Sequence, residues 1–151
     1  MRPRHSEIAL GPSCDLIRQQ LVARVPDRRS ALLGKWHGSG EDTWVENGTP
    51  TLSVDVQAEF WINAAAVTGH FTLGILEHPE VPLIELDVRG RFYDNSLIQT
   101  FYESSDPVRR QVGVALLHLF GDGITLEVRY SAFSPMRNCL TTGVIRLHKA
   151  G

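Results

Sequence analysis

Few residues in this 151-residue chain have types and spacings that could do chemistry. Arg109, Arg110 and Arg137 stand in stretches that also hold Ser, Asp, Pro or Asn. An arginine there is a natural phosphate donor, because its planar fork matches phosphate oxygens. Tyr102 and Tyr130 end apolar, alternating runs beside those stretches, where a ring can stack on a flat ligand. His118 shares a face with Val112, Val114 and Leu116, and reads as a hydrogen-bonded core histidine with a ligand contact as the second reading. Asp122 lies between Gly121 and Gly123 and reads as a turn former rather than an acid. The chain has no nucleophile elbow, no Gly-rich phosphate loop opening a helix and no His-Glu metal motif. A catalytic site, a metal and a cofactor are therefore not expected. Cys14 and Cys139 are too few for a disulfide framework and read as free thiols.

The elements that must position these residues are strands. Leu52, Val54, Val56, Ala58 and Phe60 alternate with Ser53, Asp55, Gln57 and Glu59, a period of two that marks a half-buried strand. The same alternation runs through Ala65 to Leu73, through Ile84 to Phe92 and through Ile124 to Tyr130. Leu33 to Gly38, Leu97 to Tyr102, Gln111 to Phe120 and Thr141 to His148 supply four more strands. Turn residues separate them: Asn63, Asp94-Asn95 and Gly121-Asp122-Gly123. In Gln111 to Phe120 both faces are apolar, so the inward face is not readable from the sequence.

About eight short strands joined by short turns predict an all-β fold, a single antiparallel up-and-down barrel over 32–151. Closure removes the strand edges that invite aggregation. An eight-stranded barrel is just wide enough to be filled by side chains or to hold one small ligand. Residues 1–31 form an irregular arm to Pro12, then an amphipathic helix capped at Ser13 and ended by Pro26, with Leu16, Ile17, Leu21 and Val25 mostly on one face. A helix of about three turns is marginal alone and has to dock on a barrel mouth or on a second subunit, which makes it a homodimer contact in the second case. Successive loops of such a barrel alternate ends, so 103–110 and 131–139 share one mouth and Gly121–Gly123 lies at the other.

Composition narrows the function classes. A formal charge of −2 leaves no electrostatic footprint for a nucleic-acid polymer or an anionic membrane. No apolar run approaches the roughly 20 residues of a membrane-spanning helix, and 1–14 lacks a signal peptide's apolar core. The expectation is a soluble cytoplasmic protein.

Gly34-x-Trp36 at the start of the first of these strands resembles the G-x-W signature of lipocalins and their calycin relatives. That resemblance implies a tryptophan closing one barrel end under a basic residue of the last strand, a role that falls to Arg146 or, as the second choice, to Lys149. Gly113, Gly121-Asp122-Gly123, Leu126, Tyr130, Arg137 and Thr142-Gly143-x-Ile145-x-Leu147-x-Lys149 are similar to the C-terminal half of the cyclic-nucleotide receptor barrels of bacterial CBASS antiphage operons. The likeness covers about 40 residues well. It departs where those receptors carry two transmembrane helices, so it implies ligand sensing or sequestration without a membrane output. The site residue it implies is Arg137; Arg109, Arg110, Tyr102 and Tyr130 join it as ligand contacts because they lie at or approach the same mouth, and His118 is a further candidate contact from its place on an apolar face. Gly34 to Gly40 also resembles the start of nitrobindin-type haem barrels, but His148 is badly placed for their proximal ligand.

The leading expectation is thus a non-catalytic small-molecule-binding barrel, with a cyclic nucleotide as the ligand the resemblance implies. A lipocalin-like cyclase or isomerase acting on a hydrophobic intermediate is the alternative. A fully packed structural barrel that dimerises through its helix is the third.

Overall fold

The computed structural model describes residues 29–44, 52–106, 110–134 and 138–151. A single 3-10 turn, Arg29–Leu32, leads into eight strands: β1 Gly34–Trp44, β2 Leu52–Asn63, β3 Ala66–Ile75, β4 Ile84–Phe92, β5 Leu97–Ser104, β6 Val112–Leu119, β7 Thr125–Ser134 and β8 Cys139–Lys149. Each strand pairs antiparallel with the next, and β1 pairs with β8, so the sheet is a closed barrel. The expected helix over 13–25, and the dimer contact through it, lie outside the described residues. Among the described residues the 3-10 turn is the only helical piece. No helix there is long and apolar enough to cross a membrane.

The two faces follow the alternation. Val54, Val56, Ala58 and Phe60 of β2 point inward and are buried, as are Leu126 and Val128 of β7. Turn chemistry sets the register between them. Ala64 takes a left-handed φ of 55° in the two-residue β2–β3 connection. Asp94 Oδ1 accepts the amides of Ser96 and Leu97 at 2.8 and 2.7 Å across β4–β5. Asp122 does the same for Ile124 and Thr125, both at 2.9 Å, while Gly123 supplies a φ of 71°. Asp122 is a turn former, for the ordinary reason that its short carboxylate mimics a backbone acceptor.

β6 is where the structure decides what the sequence left open. Its inward residues are Ala115, Leu117 and Leu119, whereas Val112, Val114, Leu116 and His118 face out. Tyr102 of β5 stands opposite Gly113 of β6, and a Cβ at Gly113 would overlap the Tyr102 ring. The ring lies across the glycine, which puts Gly113 inside, and the odd residues after it follow. His118 is therefore not a core residue. It is exposed and packs its ring against Phe120, 4.8 Å between centroids.

One end of the barrel is plugged. Trp36 is 1 % exposed and its Nε1 donates to the Leu32 carbonyl at 2.9 Å, so the 3-10 turn caps the barrel floor. Lys149, not Arg146, lies over the Trp36 ring, 4.9 Å from its centroid, and its ammonium also donates to the carbonyls of Ala31 and Leu33. Parity explains the correction. Ile145 and Leu147 point inward on β8, so Arg146 points outward, where it bonds Glu127 at 2.9 Å and lies 5.5 Å from the centroid of Phe120. Below mid-height the interior is filled by Phe60, Val67, Ile98, Leu117, Leu119, Leu126 and Leu147, nearly all without solvent contact.

Candidate functional site

Above this packed floor the filling stops. A cavity of about 90 Å³ occupies the other half of the barrel and extends to the strand ends Leu52, Ile75 and Ile84. That is well above the roughly 10–15 Å³ a single water requires, and somewhat below the roughly 150 Å³ of an engineered cavity that accepts benzene. At this end the β3–β4 connection, 76–83, folds back over β2, where the Glu77 carboxylate accepts the Ser53 amide at 2.9 and 3.0 Å. Those bonds hold the Glu77 carboxyl below its usual range.

The cavity has two unlike walls. β2, β3 and β4 contribute aliphatic and aromatic side chains: Val54, Phe71, Leu73, Leu86, Val88 and neighbours. The polar side chains come from the other side, Asp42 of β1, Thr100 and Tyr102 of β5, Gln111 just before β6, Tyr130 of β7 and Thr141 of β8, with Ala115, Val128, Ala132 and Ile145 among them. The tyrosines are set by their partners across the sheet. Tyr130 stands opposite Gly143 as Tyr102 stands opposite Gly113, and a Cβ on Gly143 would overlap the Tyr130 ring. Two glycines, one on β6 and one on β8, thus lay both rings along the wall, where they meet edge to face at 6.4 Å and 78°.

Hydrogen bonding separates the two rings. Tyr130 Oη donates to Asp42 Oδ1 at 2.7 Å, a short charge-assisted bond. Thr100 Oγ1 donates to the Ala115 carbonyl at 3.0 Å. Tyr102, only 8 % exposed, makes no hydrogen bond through its hydroxyl among the described residues. Burial pushes the pKa of both phenols well up, and the Asp42 carboxylate pushes them further. Both rings are neutral donors across the physiological range.

Of the residues singled out in the sequence, the structure brings Tyr102 and Tyr130 together in the cavity wall. Arg110 is exposed in the β5–β6 loop at the same end. Arg109 and Arg137 lie outside the described residues. His118 and Arg146 are on the outer face. Asp42 was not singled out, because GSGED around it does not alternate in polarity: the inward positions before it are Gly38 and Gly40. Counting by twos from Trp36 along β1 reaches it, so the signal was present once Trp36 was known to point inward.

The fold and site define a closed, partly hollow, eight-stranded antiparallel β-barrel. Solved structures of the same shape are known. The structure of EF1p2_mFAP2b bound to DFHBI superposes with a TM-score of 0.64 at 9 % identity, over 82 % of this chain and 99 % of that one. A redesigned β-barrel matches with a TM-score of 0.56 at 12 % identity, over 83 % and 96 %. The S-type phycobiliprotein lyase CPES of Guillardia theta matches with a TM-score of 0.54 at 7 % identity, over 87 % and 97 %. At such identities the likeness carries the barrel architecture and nothing finer. No protein-family model and no curated protein matches the chain.

Proposed function

We propose that this protein binds a small molecule in the upper half of its barrel without transforming it. The observation that carries the reading is the cavity itself: about 90 Å³ of space above a fully packed floor, with a mostly apolar lining and a few convergent polar groups. A barrel built for stability alone has no use for such a void, since an empty cavity destabilises in proportion to its size. That one structural relative was solved with DFHBI bound is in keeping with a hollow barrel of this shape taking up a ligand. A ligand that binds only the folded state raises the melting temperature by mass action, by roughly 2.7 kcal/mol of stability at a hundredfold excess over Kd. A thermal-shift screen of small apolar and aromatic compounds at millimolar concentration tests the reading. No shift from any compound would overturn it.

The narrower expectation, a cyclic nucleotide, has the two tyrosines in its favour as stacking partners. Against it stands the lining, in which no described residue is Lys, Arg or His. A bound nucleotide would have to keep its phosphates at the rim, near Arg110. A shift with cyclic dinucleotides that Arg110→Ala or Arg137→Ala removes would support this version.

The second reading, a cyclase or isomerase, rests on the Asp42–Tyr130 pair. A hydrogen-bonded carboxylate and phenol are groups that can hold and pass a proton beside an apolar substrate. Turnover lost in Tyr130→Phe while substrate still binds would establish it.

A further inference from the structure

Tyr102 is the least explained buried polar group among the described residues. Its ring is 92 % buried, lines the cavity and is laid along the wall by Gly113, yet its hydroxyl has no hydrogen-bond partner among the described residues. Buried polar groups are almost always paired, because an orphaned hydroxyl loses its bonds to water without replacement. A phenylalanine would fill the same space over the glycine at no such cost. The neighbouring phenol, Tyr130, shows the ordinary solution with its bond to Asp42. The rest of the lining restricts what can satisfy Tyr102. The wall of β2 to β4 is apolar, and no described lining residue carries a positive charge. An anion buried there would lack a counter-charge, which costs far more than a hydrogen bond returns.

Resting on the binding reading above, we infer that Tyr102 Oη is the anchor for the ligand, and that the ligand is an uncharged molecule of about one ring's width carrying a hydrogen-bond acceptor such as a carbonyl or ring nitrogen. Its apolar body lies against Phe71, Leu73, Leu86 and Val88, and its acceptor points to β5. The phenol is the donor in this contact, since burial and the Asp42 carboxylate keep it protonated.

Three single-ring probes, whose substituents can extend toward the strand ends where the cavity continues, separate the parts of this inference: toluene, acetophenone and benzoate, each titrated by ligand-observed NMR into the full chain and into Tyr102→Phe. The wild type should bind acetophenone tightest and benzoate on the order of tenfold or more weaker. Tyr102→Phe should weaken acetophenone roughly three- to tenfold, the worth of one neutral hydrogen bond, and leave toluene unchanged. Equal loss for toluene and acetophenone, or no loss for either, would overturn the anchor while leaving the binding reading intact. Benzoate binding as well as acetophenone would overturn the uncharged ligand class. If none of the three binds while another compound of the thermal-shift screen does, the inferred ligand class falls and the binding reading stands; if no compound binds at all, the binding reading itself fails. Tyr102→Phe keeps the ring over Gly113 and removes a hydroxyl with no protein partner, so it folds; a far-ultraviolet spectrum matching the wild type verifies this, and the wild-type ranking of the probes is decisive without the variant.

Discussion

The two cavity tyrosines offer an internal comparison, because the same one-atom deletion should have opposite consequences at two sites about one ring apart. Tyr130→Phe removes a 2.7 Å bond to the Asp42 carboxylate. Hydrogen bonds to charged groups contribute about 1.5–3 kcal/mol. Asp42 is only half-buried and has other contacts, so solvent can replace part of what is lost, and the lower figure of about 1.5 kcal/mol applies. For a chain of this length that corresponds to a fall in Tm of about 3–6 °C. Tyr102→Phe removes a hydroxyl with no partner among the described residues, so the ligand-free protein should lose nothing, within about 0.5 kcal/mol, and can gain. Urea unfolding followed by tryptophan fluorescence reads both, with an unchanged m-value as the sign that the native barrel is the common reference. A cost for Tyr102→Phe as large as that for Tyr130→Phe would mean that the Tyr102 hydroxyl has a partner that the structure does not show, and would overturn the contrast between the two rings.

Other substitutions probe the framework. Leu117→Ala should cost about 2–5 kcal/mol and Leu116→Ala under about 1, because Leu117 is fully buried and its neighbour is 51 % exposed; equal costs would mean that β6 is turned the other way. Gly113→Ala should destabilise by about 1–3 kcal/mol and weaken any ligand, and pairing it with Tyr102→Ala should recover part of the loss, as thermal melts of the single and double variants would reveal. His118→Ala, being on the outside, should leave ligand-induced shifts unchanged. Acid should act through Asp122 and Glu127. The Thr125 hydroxyl and the Ile124 amide hold Asp122 below its usual pKa, and Arg146 and Arg129 do so for Glu127. A depressed folded-state pKa gives stability that is complete above the unfolded value, near pH 4–4.5, and disappears as pH falls through the folded value. Urea midpoints between pH 2 and 6 should therefore decline less steeply in Asp122→Asn than in the wild type.

How much of this was legible depended on contrast between the two faces of each strand. β2 and β3 carried Ser, Asp, Gln, Glu and Thr on one side and Val, Phe and Leu on the other, and their inward faces could be read directly. β6 could not, because Val112, Val114 and Leu116 are apolar on a face that meets solvent. What resolves it is a partner 11 positions away, the Tyr102–Gly113 pair, and a cross-strand fit of that kind is invisible to local periodicity. Trp36 at a plugged end was readable from Gly34-x-Trp36, whereas the choice between Arg146 and Lys149 above it was a matter of parity within β8. Tyr102 and Tyr130 were named from the sequence, but the missing partner of Tyr102 was not, since only coordinates reveal a missing bond.

The lysine that seals the floor binds a carbonyl 118 positions before it. Every other strand seam joins neighbours in sequence, so the seven hairpins can assemble as the chain lengthens, while the β1–β8 seam has to wait for the final strand. Loop-closure entropy therefore makes closure of the ring the expected slow step of folding, because its contacts are the most distant in sequence. Until it occurs both outer strands are bare edges, and a nascent or partly melted chain is at that moment most apt to pair with a copy of itself.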